Sequence, residues 1–199
     1  QCMISWFFIG LVITILLTPG PTNTLLASSG VQVGVRKSLR LIPAESIGYI
    51  IAISAWGMLI GKVSDTLPFV PPFLKLLSAG YIIFLAVKLW RTANQVVALN
   101  QPVIRPRTLF CATLLNPKAL MFASAIFPVM AWESQTIYAL HMSAFIALIL
   151  PIALLWISIG AALASNKIQW LSQSKLQRSA SVILVSFSIP LSYSALINL

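Results

Sequence analysis

Acidic residues, histidine and cysteine are nearly absent from this chain: its 199 residues contain three Asp and Glu together, one His and two Cys. Paired catalytic carboxylates and metal sites built from clustered ligands need more of these residues than the chain supplies. Cys2 and Cys111 are too far apart in sequence for a CxxC site, and we interpret them as unpaired thiols. The HExxH and GxSxG patterns are missing as well. We therefore expect no catalytic residue, no metal site and no cofactor.

Charged residues of either sign are scarce, whereas apolar residues are abundant. Hydrophobic residues make up 59% of the chain and charged residues 8%, and the mean hydropathy is +0.95. Water-soluble domains of this size do not have such a composition. A membrane-spanning helix needs about 20 apolar residues, and six such runs occur, at roughly 4–31, 42–61, 70–90, 107–131, 137–163 and 178–197. We predict an all-α integral membrane protein with six transmembrane helices in a single domain, residues 1–199, surrounded by the lipid bilayer.

The basic residues are distributed unevenly along the chain, and this distribution predicts its orientation. The net charge is +10, and ten of the thirteen basic residues lie in or beside the connectors after the first, third and fifth runs. Because basic loops stay in the cytoplasm, both termini are predicted on the opposite side. Charge that is spread over loops in this way does not predict a nucleic-acid partner. The first run is too long for a signal peptide and has no basic residue before it, so we expect no cleavable signal, and whether Gln1 is the native start is left open.

The first run contains helix-breaking residues a little past its centre, in the stretch TPGPTN. Pro19 and Pro21 remove two N–H donors, and each disfavours helical geometry in the residue before it. Gly20 lies between them. Thr22 and Asn23 follow at once, and their side-chain oxygens can cap a helix that restarts there. The first transmembrane helix is therefore predicted to break at mid-membrane and to continue as a second half-helix to about residue 31.

The fourth run repeats this feature in the stretch NPKA. Asn116 precedes Pro117, which is the order of a cap followed by proline at the first helical position. When Pro19 is placed over Pro117, 98 residues later, the second and third runs fall on the fifth and sixth. The chain thus has two predicted repeats of three helices, about 1–95 and 103–199. Because three is odd, the second repeat is inverted, and the fourth helix is also broken at mid-membrane.

The two restarted half-helices run antiparallel in such an arrangement, yet both begin at mid-depth, so their N-termini can meet at the centre of the membrane. Each N-terminus carries about half a positive charge and several unpaired N–H groups, and Lys118 adds a full charge. We therefore predict a central anion site, with a carboxylate as the candidate ligand. A charge at this depth is costly, so Lys118 has two interpretations: a role in the site or in gating, or a structural bond to carbonyls of a broken helix.

Glu45 and two tyrosines are further candidates for this site. Glu45 is the only acidic residue inside a predicted span. Either it is a carboxylate near the cytoplasmic surface, paired with Arg36 or Arg40, or it is a proton carrier or an amine-binding group. Tyr49 and Tyr81 either line a cavity or are buried with a hydrogen bond. The residues leave both pairs of alternatives open.

The motifs TPGPTN and NPKA, in that order and within a six-span chain, resemble the LysE/RhtB-type amino-acid exporter family of bacteria. The basic loop GVRKS and the third-span stretch SAGYIIFLAVK add to the resemblance, which runs the length of the chain. It implies export of small, neutral amino acids or their derivatives from the cytoplasm, against proton entry. It also implies the bacterial inner membrane and a protein that can form a homodimer. In that membrane, the positive-inside rule predicts both termini on the periplasmic side.

The residues and the resemblance together give the candidate site. Many relatives have an acidic residue after a glycine in the second span. The aromatic Tyr49 that follows Gly48 here is more similar to the branch that exports cysteine and O-acetylserine. Glu45 is the proton-coupling candidate. The predicted substrate-binding residues are Pro19, Gly20, Pro21, Thr22, Asn23, Gly48, Tyr49, Tyr81, Asn116, Pro117 and Lys118.

Other function classes stay open at this point. One is a membrane carrier of another small solute or of a metal ion, although a metal carrier would need clusters of acidic residues, His or Cys within the spans. Another is a non-transporting membrane scaffold, which would explain neither broken helix. The sequence leaves the identity of the amino acid, the coupling ion and the oligomeric state open.

Overall fold

The computed structural model describes residues 4–64, 66–92 and 103–165, together with short stretches between residues 178 and 197. Every regular element in these parts of the chain is helical. The α-helices are α1 (Trp6–Leu17), α2 (Pro21–Ser38), α3 (Leu41–Ser64), α4 (Val70–Thr92), α5 (Pro106–Leu114), α6 (Pro117–Met121) and α7 (Gln135–Ala164). A π-helical segment, Phe122–Ile126, continues α6, and a 3-10 turn, Val129–Trp132, precedes α7. Nine of the twenty residues of the predicted sixth run, 178–197, and most of the connector before it lie outside the described residues.

Two of these helices are long and apolar enough to cross a membrane, namely α3 over Leu41–Val63 and α7 over Gln135–Ala164. Two bent pairs, α1 with α2 and α5 with the helix Pro117–Ile126, raise the number to four if each pair is one span. An all-helical membrane protein is therefore confirmed among the described residues. The arrangement of six spans as two inverted repeats stays a prediction.

Both predicted helix breaks are present in the structure. The axes of α1 and α2 differ by 56°, and those of α5 and the helix that follows it by 45°. At the second break, Asn116 caps α6 as expected, because its side chain accepts a hydrogen bond of 3.1 Å from the backbone N–H of Lys118. At the first break, Gly20 rather than Thr22 or Asn23 is the N-cap residue of α2. Pro21 explains this difference, since proline occupies the first helical position and sets the cap one residue earlier.

The half-helix that starts at Pro21 ends just before Gly34, close to the end that the sequence predicts near residue 31. Gly34 has a φ of 76° and a ψ of 175°, which are not helical angles and which glycine adopts without a steric penalty. After this kink, α2 continues to Ser38. Arg36 and Lys37, which were expected in a connector, lie in the last turn of α2. Positive charges are favourable there because a helix C-terminus carries partial negative charge.

Two glycines allow α2 and α7 to pack with their backbones in contact. A Cβ atom on Gly30 would overlap the carbonyl oxygen of Ile157, and one on Gly160 would overlap the carbonyl oxygen of Ala27. Small residues permit this close approach between helices in membranes, where packing rather than water exclusion holds helices together. The long helix α7 therefore fixes the position of α2 and, through it, the position of the first break.

Candidate functional site

The two helix breaks meet at buried polar side chains of α2, α3 and α6. The side-chain amide of Asn116, the cap of α6, donates a hydrogen bond of 2.9 Å to the Tyr49 hydroxyl on α3. The same amide nitrogen lies 3.5 Å from the Thr22 hydroxyl in the first turn of α2. All three side chains are buried. The starts of α2 and α6 therefore lie side by side against α3, and we call Thr22, Glu45, Tyr49, Asn116 and Lys118 the central polar cluster.

Lys118 reaches across the cluster to the end of α1. Its ammonium nitrogen donates hydrogen bonds of 2.9 Å to the Ile15 carbonyl and 2.7 Å to the Thr18 carbonyl. The side chain is only 1% exposed. Gly20 makes room for it, because a Cβ at that position would lie 3.1 Å from the last two side-chain atoms of Lys118. These are the contacts expected from the interpretation in which Lys118 bonds to the carbonyls of a broken helix.

Asn23 holds the same helix end from the other side of the break. Its side-chain amide donates hydrogen bonds of 2.7 Å to the Leu16 carbonyl and 2.7 Å to the Thr18 carbonyl. The last carbonyls of an α-helix have no partner within the helix, and a buried carbonyl left unpaired is costly. Asn23 and Lys118 together therefore satisfy the Ile15, Leu16 and Thr18 carbonyls at the break in the first helix.

Glu45 is a member of the cluster rather than a surface residue. Its side chain is 1% exposed. It has Thr22 as a side-chain hydrogen-bonding neighbour, and the positive charge of Lys118 is near enough to attract it. Arg36 and Arg40 are exposed to the surroundings of the chain. The predicted pairing with one of these arginines is therefore wrong, because the first turn of α3 directs Glu45 inward. One carboxyl oxygen of Glu45, Oε2, is buried without a hydrogen-bond partner.

An aromatic wall borders the cluster at Tyr49. The Tyr49 ring meets Phe122 edge-on with centroids 5.9 Å apart and Phe145 with centroids 5.6 Å apart. Phe122 and Phe145 contact each other in the same way at 4.9 Å. Edge-to-face contacts of this kind fix ring orientation. Tyr49 is thus both buried and hydrogen-bonded through its hydroxyl, which matches the second interpretation given for it above.

Tyr81 and Pro117 border a cavity of about 670 Å³ between α4 and α6. Ser78 and Leu120 also line it, and its walls are largely apolar. Tyr81 is only partly buried, and it is among the groups that act electrostatically on Tyr49. The cavity therefore lies beside the second break, on the side of the cluster that α4 covers.

The remaining predicted site residues do not present side chains to the cluster. Pro19 is buried within the first break, and Pro21 is exposed at the first position of α2. Gly48 packs against α5, since a Cβ at that position would lie 2.8 Å from the Cβ of Thr113. Pro19 and Gly48 therefore contribute to backbone geometry and helix packing beside the cluster, and their role in substrate binding stays a prediction.

Sequence reasoning missed the partners of Lys118, because Ile15 and Thr18 contribute carbonyl oxygens and their side-chain types give no signal. The predicted break was the available signal, since a helix that ends inside a protein must leave carbonyls to be bonded. It also missed Phe122 and Phe145, which are ordinary apolar residues in long apolar runs. Within the described residues no group of three or more His, Cys, Asp or Glu is positioned to hold a metal ion.

Comparisons with known proteins agree with the resemblance carried by the two motifs. The model of the family described as LysE type translocator matches residues 13–195. A cysteine/O-acetylserine efflux protein of Klebsiella pneumoniae is 34% identical over 104 residues, which are 52% of this chain and 51% of the relative. Efflux proteins of the same name from Escherichia coli and Shigella flexneri are 28% identical over 110 residues, 53% of this chain and 54% of the relatives. The chain thus spans about half the length of the curated relatives that it matches, and no solved structure matches it.

Proposed function

Because the chain belongs to the LysE type translocator family, we propose that it is a secondary active exporter of small, neutral amino acids or their derivatives from the cytoplasm. The observation that carries this proposal is the meeting of the two helix breaks, where Asn116 bonds Tyr49 and approaches Thr22. Transporters built from inverted repeats bind their substrates between such broken helices. Alternating access would then come from rocking of one three-helix repeat against the other around the cluster.

The proposed substrate site takes the carboxylate of an amino acid at the starts of α2 and α6. The first N–H groups of a helix have no partner within that helix and carry partial positive charge. Lys118 adds its charge from the place where it contacts the α1 carbonyls. The cavity beside Tyr81 and Pro117 is available for the substrate side chain. The relatives are named for cysteine and O-acetylserine, and we propose solutes of that size for this chain.

Glu45 is proposed to couple export to proton entry. The observation that favours this role is the buried oxygen Oε2, which has no hydrogen-bond partner in the cluster. A carboxyl group with a free oxygen can accept either a proton or the ammonium group of an amino acid. An ionisable residue inside a span is a functional candidate because burying it is costly. Proton carriage is our proposal, and binding of the substrate ammonium is the alternative for the same oxygen.

The proposed location is the bacterial inner membrane, with both termini in the periplasm. The distribution of basic residues among the connectors supports this orientation through the positive-inside rule. A homodimer stays a prediction from the resemblance to the family.

The experiment that tests the proposed function measures loss of labelled amino acids from preloaded bacterial cells that make this protein. Cysteine, O-acetylserine, homoserine, threonine, leucine and lysine are compared with cells that lack it. We expect faster loss of one or more neutral solutes. In cells that make Asn116→Ala this acceleration should disappear, because the variant removes the bond to Tyr49 and the cap of α6.

The matched control for this experiment is Ser54→Ala. Ser54 makes a hydrogen bond of 2.6 Å to Tyr138 between α3 and α7, away from the two breaks, so its loss should leave efflux unchanged. If cells that make Asn116→Ala lose the neutral solute as fast as cells that make the wild-type protein, the substrate site lies elsewhere. No accelerated loss of any solute, with the wild-type protein folded in the membrane, would refute the proposed function.

A further inference from the structure

The end of α1 provides carbonyl oxygens that already bind an ammonium group. Lys118 Nζ lies 2.9 Å from the Ile15 oxygen and 2.7 Å from the Thr18 oxygen. A helix C-terminus carries about half a negative charge, and its last carbonyls lack helical partners. Lys118 supplies both a positive charge and hydrogen-bond donors to this helix end. It lies on α6, just after the second break, and it is 1% exposed.

We propose that the break between α1 and α2 is a monovalent-cation site and that Lys118 is its permanently tethered cation. In transporters with broken helices, the carbonyls at the ends of half-helices coordinate the coupling cation. Backbone carbonyl oxygens can coordinate a monovalent cation without a side-chain ligand, as they do for potassium in channel filters. The Lys118 ammonium brings the same single positive charge to the same type of oxygen ligands, with the difference that it cannot dissociate from the protein.

The surroundings of Lys118 fit a side chain that stays in place. The backbone of Gly20 contacts the last two side-chain atoms of Lys118, since a Cβ on Gly20 would be 3.1 Å from each of them. Asn23 donates to Leu16 and shares the Thr18 oxygen at 2.7 Å. A metal ion at these oxygens would have to displace the Lys118 ammonium. The wild-type protein should therefore need no bound sodium or potassium at this break.

Cation binding at this break and its effect on stability do not depend on which solute the protein transports. The test measures the midpoint of thermal unfolding of the whole chain in lipid nanodiscs. Lys118→Ala empties the site while leaving the carbonyls. We expect ammonium chloride to raise the midpoint of Lys118→Ala saturably, with no such rise in choline chloride of equal ionic strength. The wild type and Lys62→Ala, which removes an exposed lysine at the end of α3, should respond equally to both salts.

A second variant, Lys118→Met, keeps the volume of the side chain and removes its charge. Its midpoint should lie below that of the wild type and should not rise with ammonium, because methionine fills the space. This measurement decides the question if Lys118→Ala does not fold. The proposal is overturned if folded Lys118→Ala responds equally to ammonium and choline, or if Lys118→Met is as stable as the wild type. A saturable rise of the wild-type midpoint with sodium chloride, absent with choline chloride, would overturn it as well.

Discussion

Each polar residue at the two breaks has a partner that explains its burial, with one exception. Asn116 bonds Tyr49, and Asn23 and Lys118 bond carbonyls of α1. A buried polar group without a hydrogen bond costs free energy. The oxygen Oε2 of Glu45 is such a group. At the scale of single residues, this unpartnered oxygen is the reason that we propose Glu45 as the group that takes up a proton or binds the substrate.

Glu45→Gln tests this role, because glutamine keeps the shape of the side chain but cannot carry a proton as a carboxylate does. In proteoliposomes we expect the variant to exchange labelled for unlabelled substrate while losing net transport driven by a pH gradient. The control is Glu133→Gln, which changes an exposed acidic residue before α7 and should retain both activities. Net transport by Glu45→Gln that follows the pH gradient as in the wild type would rule out the coupling role.

The breaks were predictable at the scale of elements because proline chemistry acts locally. Proline removes a donor and restricts its neighbour wherever it occurs, so the bends after α1 and α5 follow from TPGPTN and NPKA. The kink at Gly34, after which α2 continues to Ser38, was not predictable in the same way, because a glycine in a sequence does not by itself specify a positive φ. The inward position of Glu45 depends on packing that short motifs do not encode.

Gly30→Ala tests the packing of α2 on α7. The added methyl group would overlap the Ile157 carbonyl oxygen, and backbone atoms cannot rotate away as side chains can. We expect a loss of about 1–3 kcal/mol in stability, the usual cost of overpacking, seen as a lower midpoint of thermal unfolding in detergent. Gly10→Ala is the matched control on α1, where nothing lies within 4 Å of an added Cβ. Equal midpoints for the two variants would show that α2 and α7 do not pack closely.

At the scale of the whole molecule, composition sufficed to predict a helical membrane protein and the motifs sufficed for its family. An inverted repeat requires the third and sixth spans to correspond to each other, as the first and fourth do. The structure describes the sixth run only in short pieces, so this part of the architecture stays a prediction. Orientation also stays a prediction, because it depends on how basic loops interact with the membrane during insertion.

The predicted orientation can be tested with single cysteines in a variant that lacks Cys2 and Cys111. Lys62→Cys lies at the end of α3 that we expect on the periplasmic side, and Arg36→Cys lies at the end of α2 that we expect on the cytoplasmic side. A maleimide that cannot cross membranes should label Lys62→Cys in intact spheroplasts and should label Arg36→Cys only after lysis. The reverse pattern would invert the topology.

The central claim is that the broken first helix builds the transport site, and replacing Pro19 and Pro21 together with alanine tests it most directly. Each replacement should favour a continuous helix by about 3 kcal/mol, which would remove the start of α2 beside Asn116. We predict that this protein inserts in normal amounts and exports no amino acid from preloaded cells, while Pro43→Ala, at an exposed position in the first turn of α3, exports as the wild type does. Wild-type efflux by the Pro19→Ala, Pro21→Ala protein would contradict the account.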